Sequence, residues 1–437
     1  MRYQEVELLA IGAGPSGLAL GVAVEELAKH ELAGDTLIVE QQDDVVWQRG
    51  MLMPWAQSQV SFLKDLVTLR NPRSAFSFVN YLHSVGRLDQ FVNLGSFTPY
   101  RMEISGYLAW VARSLPNVRI EYGRRCVSVQ PFGAADGGGE WIVQFADGGA
   151  VVCRHLVVAA GRDAHVPDTF AGLPRELVVH STEFSARLPE FDRDRTRRIA
   201  VVGGAQSAAE MLWAAHQAFP QAQCSMVMRS IGLNAYEISR FTNELFYPSF
   251  VDQFYSARPE AREQLLREMH RTNYAGLTPD MLDTLYRQMY VERLTGTERL
   301  RMIPMVDVVN ADYDGADVVL TLVDRKTGVP SELRCDVVLL GTGFVRHMPK
   351  IVTDIASALE LDAITVNRSY RMALPPTFTG TCHLQGVNEA THGIADSLLS
   401  VLAARAEEIV TDLLADRRPQ PPLLVSTPLA ETARGAQ

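Results

Sequence analysis

Cysteine is scarce in this sequence: Cys126, Cys153, Cys224, Cys335 and Cys382 are the only five in 437 residues, and no two form a CxxC pair. An odd, scattered set excludes a disulfide framework, a cysteine zinc site and the dithiol relay of one large flavoprotein class. It fits a reducing cytoplasm, and no metal is expected. No HExxH and no Ser–His–Asp order stands out, so no hydrolase signature is present. Positive charge is short as well. Lys and Arg number 41 against 51 Asp and Glu, a net charge of −10, which argues against nucleic acid as the main partner. Long apolar runs are nearly absent. The one that could mislead, LLAIGAGPSGLALGVAV (8–24), follows acids instead of a basic region and carries Gly12, Gly14, Pro15 and Gly17. It reads as a buried strand, turn and helix, and neither a signal peptide nor a membrane span is expected.

What is present is globular in character, with 47% apolar and 21% charged residues. The length calls for two or three domains. One pattern occurs twice. VELLAIGAGPSGLA (6–19) is a short strand, a glycine turn and a helix start, and RRIAVVGGAQSAAE (197–210) repeats it. Each leads to a second apolar strand, TLIVE ending at Glu40 and SMVMR ending at Arg229. Two βαβ units imply an α/β protein with two Rossmann-like, doubly wound parallel sheets. The strand segments LVVAAGR (156–162) and DVVLLGTGF (336–344) are candidates for returning the chain between the sheets, and 133–152 reads as a glycine-rich hairpin. Between Ala235 and Glu298 the pattern is helical and aromatic-rich, as expected of a small helical subdomain. The expected division is 1–165 with 341–437, then 180–235 with 285–340, and a helical unit over 236–284. The proline-rich tail 417–437 is expected to be loosely packed.

The first fingerprint is Gly12-x-Gly14-x-x-Gly17, with Pro15 inside it. Its glycines permit a tight turn, the close approach of a pyrophosphate, and tight packing of helix on strand. Glu40 ends the next strand 23 residues past Gly17, where an acid binds an adenosine ribose hydroxyl, so FAD or NAD is expected here. The second fingerprint is Gly203-x-Ala205-x-x-Ala208. Alanine is permitted at the third position, whereas Ala205 departs at the point of closest approach. Arg229 ends the following strand 21 residues past Ala208 and suits the 2′-phosphate of NADP, with an ordinary surface arginine as the alternative. Gln206 and Ser207 are candidate phosphate donors. Two such sites, acidic then basic, point to FAD plus NADPH.

One stretch is odd. VSFLKDLVTLRNP (60–72) buries a lysine and an aspartate in an apolar run. In a helix, Leu63, Leu66 and Val67 share one face and Lys64 sits at its edge. A lysine with its stem on the core and its ammonium in water is one reading. The other is a cation reserved for a ligand.

The blocks GAGPSGLAL, WQRGMLMPWAQSQVSFLKDLVTLRNPRSAFSFVNYLH (47–83), FVNLGSFTPYRMEISGYLAWVA, GGAQSAAE, FTNELFYPSF, RTNYAG, GTGF and THGIADSLLSVLAARAEEI cover nearly the whole chain. Taken together, the chain resembles the flavin-dependent N-hydroxylating monooxygenases, the ornithine and lysine hydroxylases of hydroxamate siderophore pathways. The resemblance implies that Gln59 lies beside the flavin ring and that Lys64 binds the substrate's α-carboxylate. It implies that Asn243 and Asn273 hold the side-chain amine, that Ser400 lines the same pocket, and that Ser207 and Arg229 contact NADPH. Trp47 and His392 are further assigned to the FAD site, although a lone histidine like His392 is more often structural than catalytic. GTGF matches an ATGY element, with Gly341 for alanine and Phe344 for tyrosine.

The implied reaction reduces FAD with NADPH, adds O₂ to give a C4a-hydroperoxide, and passes the distal oxygen to a neutral amine. No residue stands out as an acid or base. The aspartate-serine-proline run usual in ornithine enzymes is replaced by NAYEISRFTNE (234–244). RTNY is close to the element that lysine enzymes often lack, and Lys64 disfavours diamines, which have no carboxylate. Ornithine is therefore the expected substrate, ahead of lysine and then a diamine. A flavin oxygenase acting on another nucleophile, and a non-catalytic nucleotide-binding flavoprotein, are the competing readings. A cytoplasmic homo-oligomer, a tetramer by resemblance, is expected.

Overall fold

A computed structural model describes residues 3–133, 139–237, 239–274 and 276–417. From residue 418 the expected loose tail lies outside these residues.

The N-terminal strand Gln4–Ile11 is apolar along its second half and pairs in parallel with Thr36–Val39, all four of whose residues are buried. Continuous apolar runs of this kind are what a parallel sheet covered on both faces requires. The first sheet has seven strands. Arg119–Glu121, Thr36–Val39, Gln4–Ile11 and Ala150–Val158 follow one another in it. The nine-residue strand Ala150–Val158 then serves two partners, Glu140–Phe145 antiparallel along its first half and Thr381–Leu384 parallel along its second. Cys126–Phe132 closes the sheet beyond Glu140–Phe145. A strand from late in the chain thus completes a sheet begun at its start.

The second sheet is five parallel strands in the order Leu300–Ile303, Gln223–Val227, Arg198–Val202, Val337–Leu340 and Val178–His180. A three-stranded antiparallel sheet, Val306–Tyr313, Val318–Asp324 and Pro330–Cys335, packs beside it through Val306, Val318, Leu320, Leu322, Val338 and Leu340. The sequence pattern did not single out this third sheet. The two segments that cross between the larger sheets pair with each other. Ala164 bridges Phe344, His165 N–H donates to the Gly343 carbonyl (2.9 Å) and Val345 N–H to that of Asp163 (2.9 Å).

Helices Arg240–Glu244, Pro248–Ser256, Pro259–Asn273 and Pro279–Thr295 occupy the stretch that the sequence marks as helical. The second to fourth begin with proline at the first turn, where a missing N–H costs nothing. Phe246, Val251 and Met269 of this unit share a small core with Ile394, Ala395 and Val401. Among the described residues no helix is long and apolar enough to cross a membrane.

Candidate active site

The first glycine turn is built by sterics. Gly12 has φ +105°, and a Cβ there falls 2.5 Å from the Ala159 carbonyl oxygen. A Cβ on Gly17 falls 1.9 Å from the Gly12 carbonyl oxygen. Gly14 is different, because a Cβ added there meets nothing within 4 Å. Its missing side chain leaves open space at the N-terminus of helix Pro15–Leu27, which has no side-chain cap. Free backbone N–H groups facing open space suit an anion. Glu40 follows its strand directly. One carboxylate oxygen accepts from Ala13 N–H (2.9 Å) in the turn, and the other from Gln42 N–H (3.0 Å).

The second turn repeats this architecture with altered parts. Gly203 has φ +145°, and a Cβ there meets the Gly341 carbonyl oxygen at 2.5 Å. Ala205 caps helix Gln206–Ala218 with φ −120°, extended backbone open to any residue, so its methyl imposes no strain. That helix also lacks a side-chain cap. Ala208 takes the third position, and its methyl fits because residue 341 is glycine: a Cβ on Gly341 falls 2.5 Å from it. Gln206 is drawn inward. Its amide donates to Glu210 (2.8 Å) and accepts from Thr278 N–H (2.9 Å). Arg229 is exposed.

The stretch 60–72 is not a helix but a run of turns, and Asp65 is the reason. Its buried carboxylate accepts from Val67 N–H, Thr68 N–H, Thr68 Oγ1 and Phe78 N–H, at 2.6–3.0 Å. These bonds compete with the helical ladder and win. Desolvation raises the Asp65 pKa against the pull of the four donors. Lys64 then points elsewhere. Its ammonium lies 4.6 Å from the centre of the Tyr247 ring, and burial lowers its pKa. A cavity of about 20 Å³ beside it is lined by Phe62, Leu66, Phe78, Ile104, Tyr107 and Leu399, among others. Leu399 adjoins Ser400, which is buried in the turn Leu399–Val401. Lys64, Tyr247 and this turn therefore meet where the helical unit rests on the first sheet's lobe. Asn273 ends helix Pro259–Asn273, and the next residue, Tyr274, donates to Glu389 (2.9 Å), a carboxylate also held by Arg162 (3.1 Å). Asn243 lies exposed in helix Arg240–Glu244.

The candidate residues divide into two groups. Gln59, Lys64, Ser207, Arg229, Asn243, Asn273 and Ser400 form no side-chain hydrogen bond or ion pair among the described residues. Glu40, Gln206 and His392 are engaged. His392 is 1% exposed, stacked on Tyr370 with ring centres 4.1 Å apart. Its nitrogens meet Thr391 Oγ1 (2.9 Å) and the Arg368 carbonyl (3.2 Å), and desolvation lowers its pKa to about 4. Trp47 packs half-buried on the core, and its backbone N–H donates to Ser105 Oγ (3.1 Å).

Two buried ion pairs carry much of the site and escaped the sequence reading. Arg405 and Asp396 are paired at 2.8 Å with both side chains 0% exposed, and Arg405 also donates to Ser16 Oγ (2.8 Å) in the first turn of helix Pro15–Leu27. Arg101 and Glu210 form a bidentate pair, both bonds 2.6 Å, that joins the two lobes beside Gln206. A lone arginine inside the apolar run LLSVLAARAEEIV was the available signal for the first pair. The second pair had none.

The sequence model of the L-lysine 6-monooxygenase/L-ornithine 5-monooxygenase family matches residues 4–346. The L-ornithine N(5)-monooxygenase of Pseudomonas aeruginosa is 35% identical over 421 residues, 94% of each chain. The solved ornithine hydroxylase PvdA of Pseudomonas aeruginosa superposes with a TM-score of 0.88 at 34% identity, covering 95% of this chain and 100% of that one. The Kutzneria sp. 744 ornithine N-hydroxylase KtzI, in a structure with reduced FAD, NADP⁺ and L-ornithine, gives 0.88 at 32% identity over 95% of this chain and 100% of that one. The chain belongs to the L-lysine 6-monooxygenase/L-ornithine 5-monooxygenase family of flavin-dependent N-hydroxylating monooxygenases.

Proposed function

We propose that the protein hydroxylates the side-chain amine of L-ornithine, with FAD held at the first glycine turn and NADPH at the second. The observation that carries the substrate reading is Lys64: a partly desolvated ammonium with no acid partner among the described residues, in the lobe junction that also holds Ser400. Such a cation attracts a carboxylate strongly, since neither bulk water nor a neighbouring acid screens it fully.

The first turn fits FAD, because Gly14 leaves room for a pyrophosphate against an uncapped helix start. Glu40 keeps acceptor capacity for a ribose hydroxyl, because each carboxylate oxygen has two lone pairs and one is used. Arg229 has the charge and exposure to meet a 2′-phosphate. Bound at these two turns, the nucleotides would supply the chemistry, NADPH the reducing equivalents and FAD the oxygen-activating ring. The chain's part is to bind and orient. Lys64 takes the α-carboxylate, and Asn243 and Asn273 align the amine. A free amine of this type has a pKa of about 10.4, and desolvation in the pocket favours the neutral form that can attack oxygen. The same exclusion of water protects the activated oxygen.

The test is a panel of L-ornithine, L-lysine, putrescine and cadaverine, assayed for hydroxylamine product and NADPH consumption. Ornithine is expected to give the highest kcat/KM. Lys64→Ala is expected to raise KM for ornithine by roughly ten- to a hundredfold, the effect of one charge-assisted contact, while reduction of the yellow enzyme by NADPH survives. Unchanged ornithine turnover in Lys64→Ala would return Lys64 to the solvent-facing role.

A further inference from the structure

We propose that Tyr247 positions the Lys64 ammonium for the substrate's α-carboxylate. The inference rests on the substrate reading above and adds a residue to it. The Lys64 ammonium lies 4.6 Å from the centre of the Tyr247 ring, within the range of a cation–π contact. The adjacent carboxylate, Asp65, is turned away and occupied by the Val67, Thr68 and Phe78 backbone N–H groups.

The choice of an aromatic face over an acid has a chemical consequence. An acid would fix the ammonium but neutralise it, and an incoming carboxylate would then have to displace it. A ring face attracts the cation without accepting its N–H donors in strong hydrogen bonds, so those donors stay available. The backbone that carries the ring is anchored. Tyr247 caps helix Pro248–Ser256, and its neighbour Phe246 is buried with Val251, Met269 and Ile394. Tyr247 itself is 38% exposed, so replacing it does not open the core.

The test compares Tyr247→Leu, Tyr247→Phe and Lys64→Met by steady-state kinetics with ornithine, flavin content, and NADPH-driven flavin reduction without substrate. Tyr247→Leu is expected to raise KM for ornithine about two- to thirtyfold, the span of a cation–π contact, with kcat and flavin reduction little changed. Tyr247→Phe keeps the ring and is expected to stay within about twofold of wild type. If Tyr247→Leu loses flavin, Tyr247→Gln takes its place in the comparison. An unchanged KM in the ringless variant, with a raised KM in Lys64→Met, overturns the role of Tyr247 and leaves the substrate reading standing. A Phe variant as impaired as the Leu variant also overturns it, since the hydroxyl would then be responsible. A silent Lys64→Met removes both the substrate reading and this proposal.

Discussion

The two glycine turns share one architecture and differ in how tightly they are held. In the first, Glu40 grips the Ala13 amide and Arg405 grips Ser16, so both sides of the turn are tied to buried or half-buried charges. In the second, the strand-end residue Arg229 has no side-chain partner among the described residues, and only Gln206 is tied, to Glu210 and Thr278. A braced turn suits a nucleotide that stays through many turnovers. An open one suits a nucleotide that arrives and leaves. The third fingerprint position teaches the same lesson in sterics. Gly17 must be glycine because the Gly12 carbonyl lies where its Cβ would go, while Ala208 keeps its methyl because the space is granted by Gly341.

The largest test of the comparison exchanges those glycines. Gly17→Ala forces a Cβ against a backbone oxygen and is expected to yield no stable flavoprotein, a loss on the order of 4 kcal/mol or more. Gly341→Ala presses on Ala208 instead and is expected to weaken NADPH while FAD is retained. Flavin-to-protein ratio and NADPH titration read the two, and loss of FAD in Gly341→Ala would break the separation of the turns. Arg229→Ala comes next. NADPH affinity is expected to fall roughly ten- to a hundredfold, as for one charge-assisted contact, with NADH nearly unaffected. Equal losses for both nucleotides would remove the 2′-phosphate role. Ala205→Gly should have the smallest effect. The extended backbone at Ala205 is unstrained, so NADPH binding should tighten slightly or stay the same. A large loss in a folded variant would show that the methyl is part of the site.

The legible parts of this molecule were those fixed by local backbone demand. Gly12, Gly17 and Gly203 announce their turns because no other residue fits, and Glu40 announces itself by its spacing from the turn that it then contacts. The illegible parts were pairings of residues distant in sequence. Arg101 and Glu210 look like surface charges in their own helices, and only the packing of one lobe on the other buries them together. The stretch 60–72 misled for a related reason. Its apolar spacing is compatible with a helix, yet Asp65 captures the amides of Val67 and Thr68 locally and that of Phe78 from beyond the run. Lys64 could be suspected from its sequence context, but Tyr247, 183 positions later, could not.

The Arg101–Glu210 pair also bears on motion. The lobes are joined by two crossing strands that zip together near Ala164 and Phe344, which alone would act as a hinge. A bidentate pair between side chains 8% and 1% exposed adds a second point of attachment away from that hinge. Swinging the lobes apart would pull a buried guanidinium from its carboxylate, and each charge would have to exchange its partner for water. Any change in the angle between the two lobes therefore has to part Arg101 from Glu210, which makes this one pair the latch of the frame.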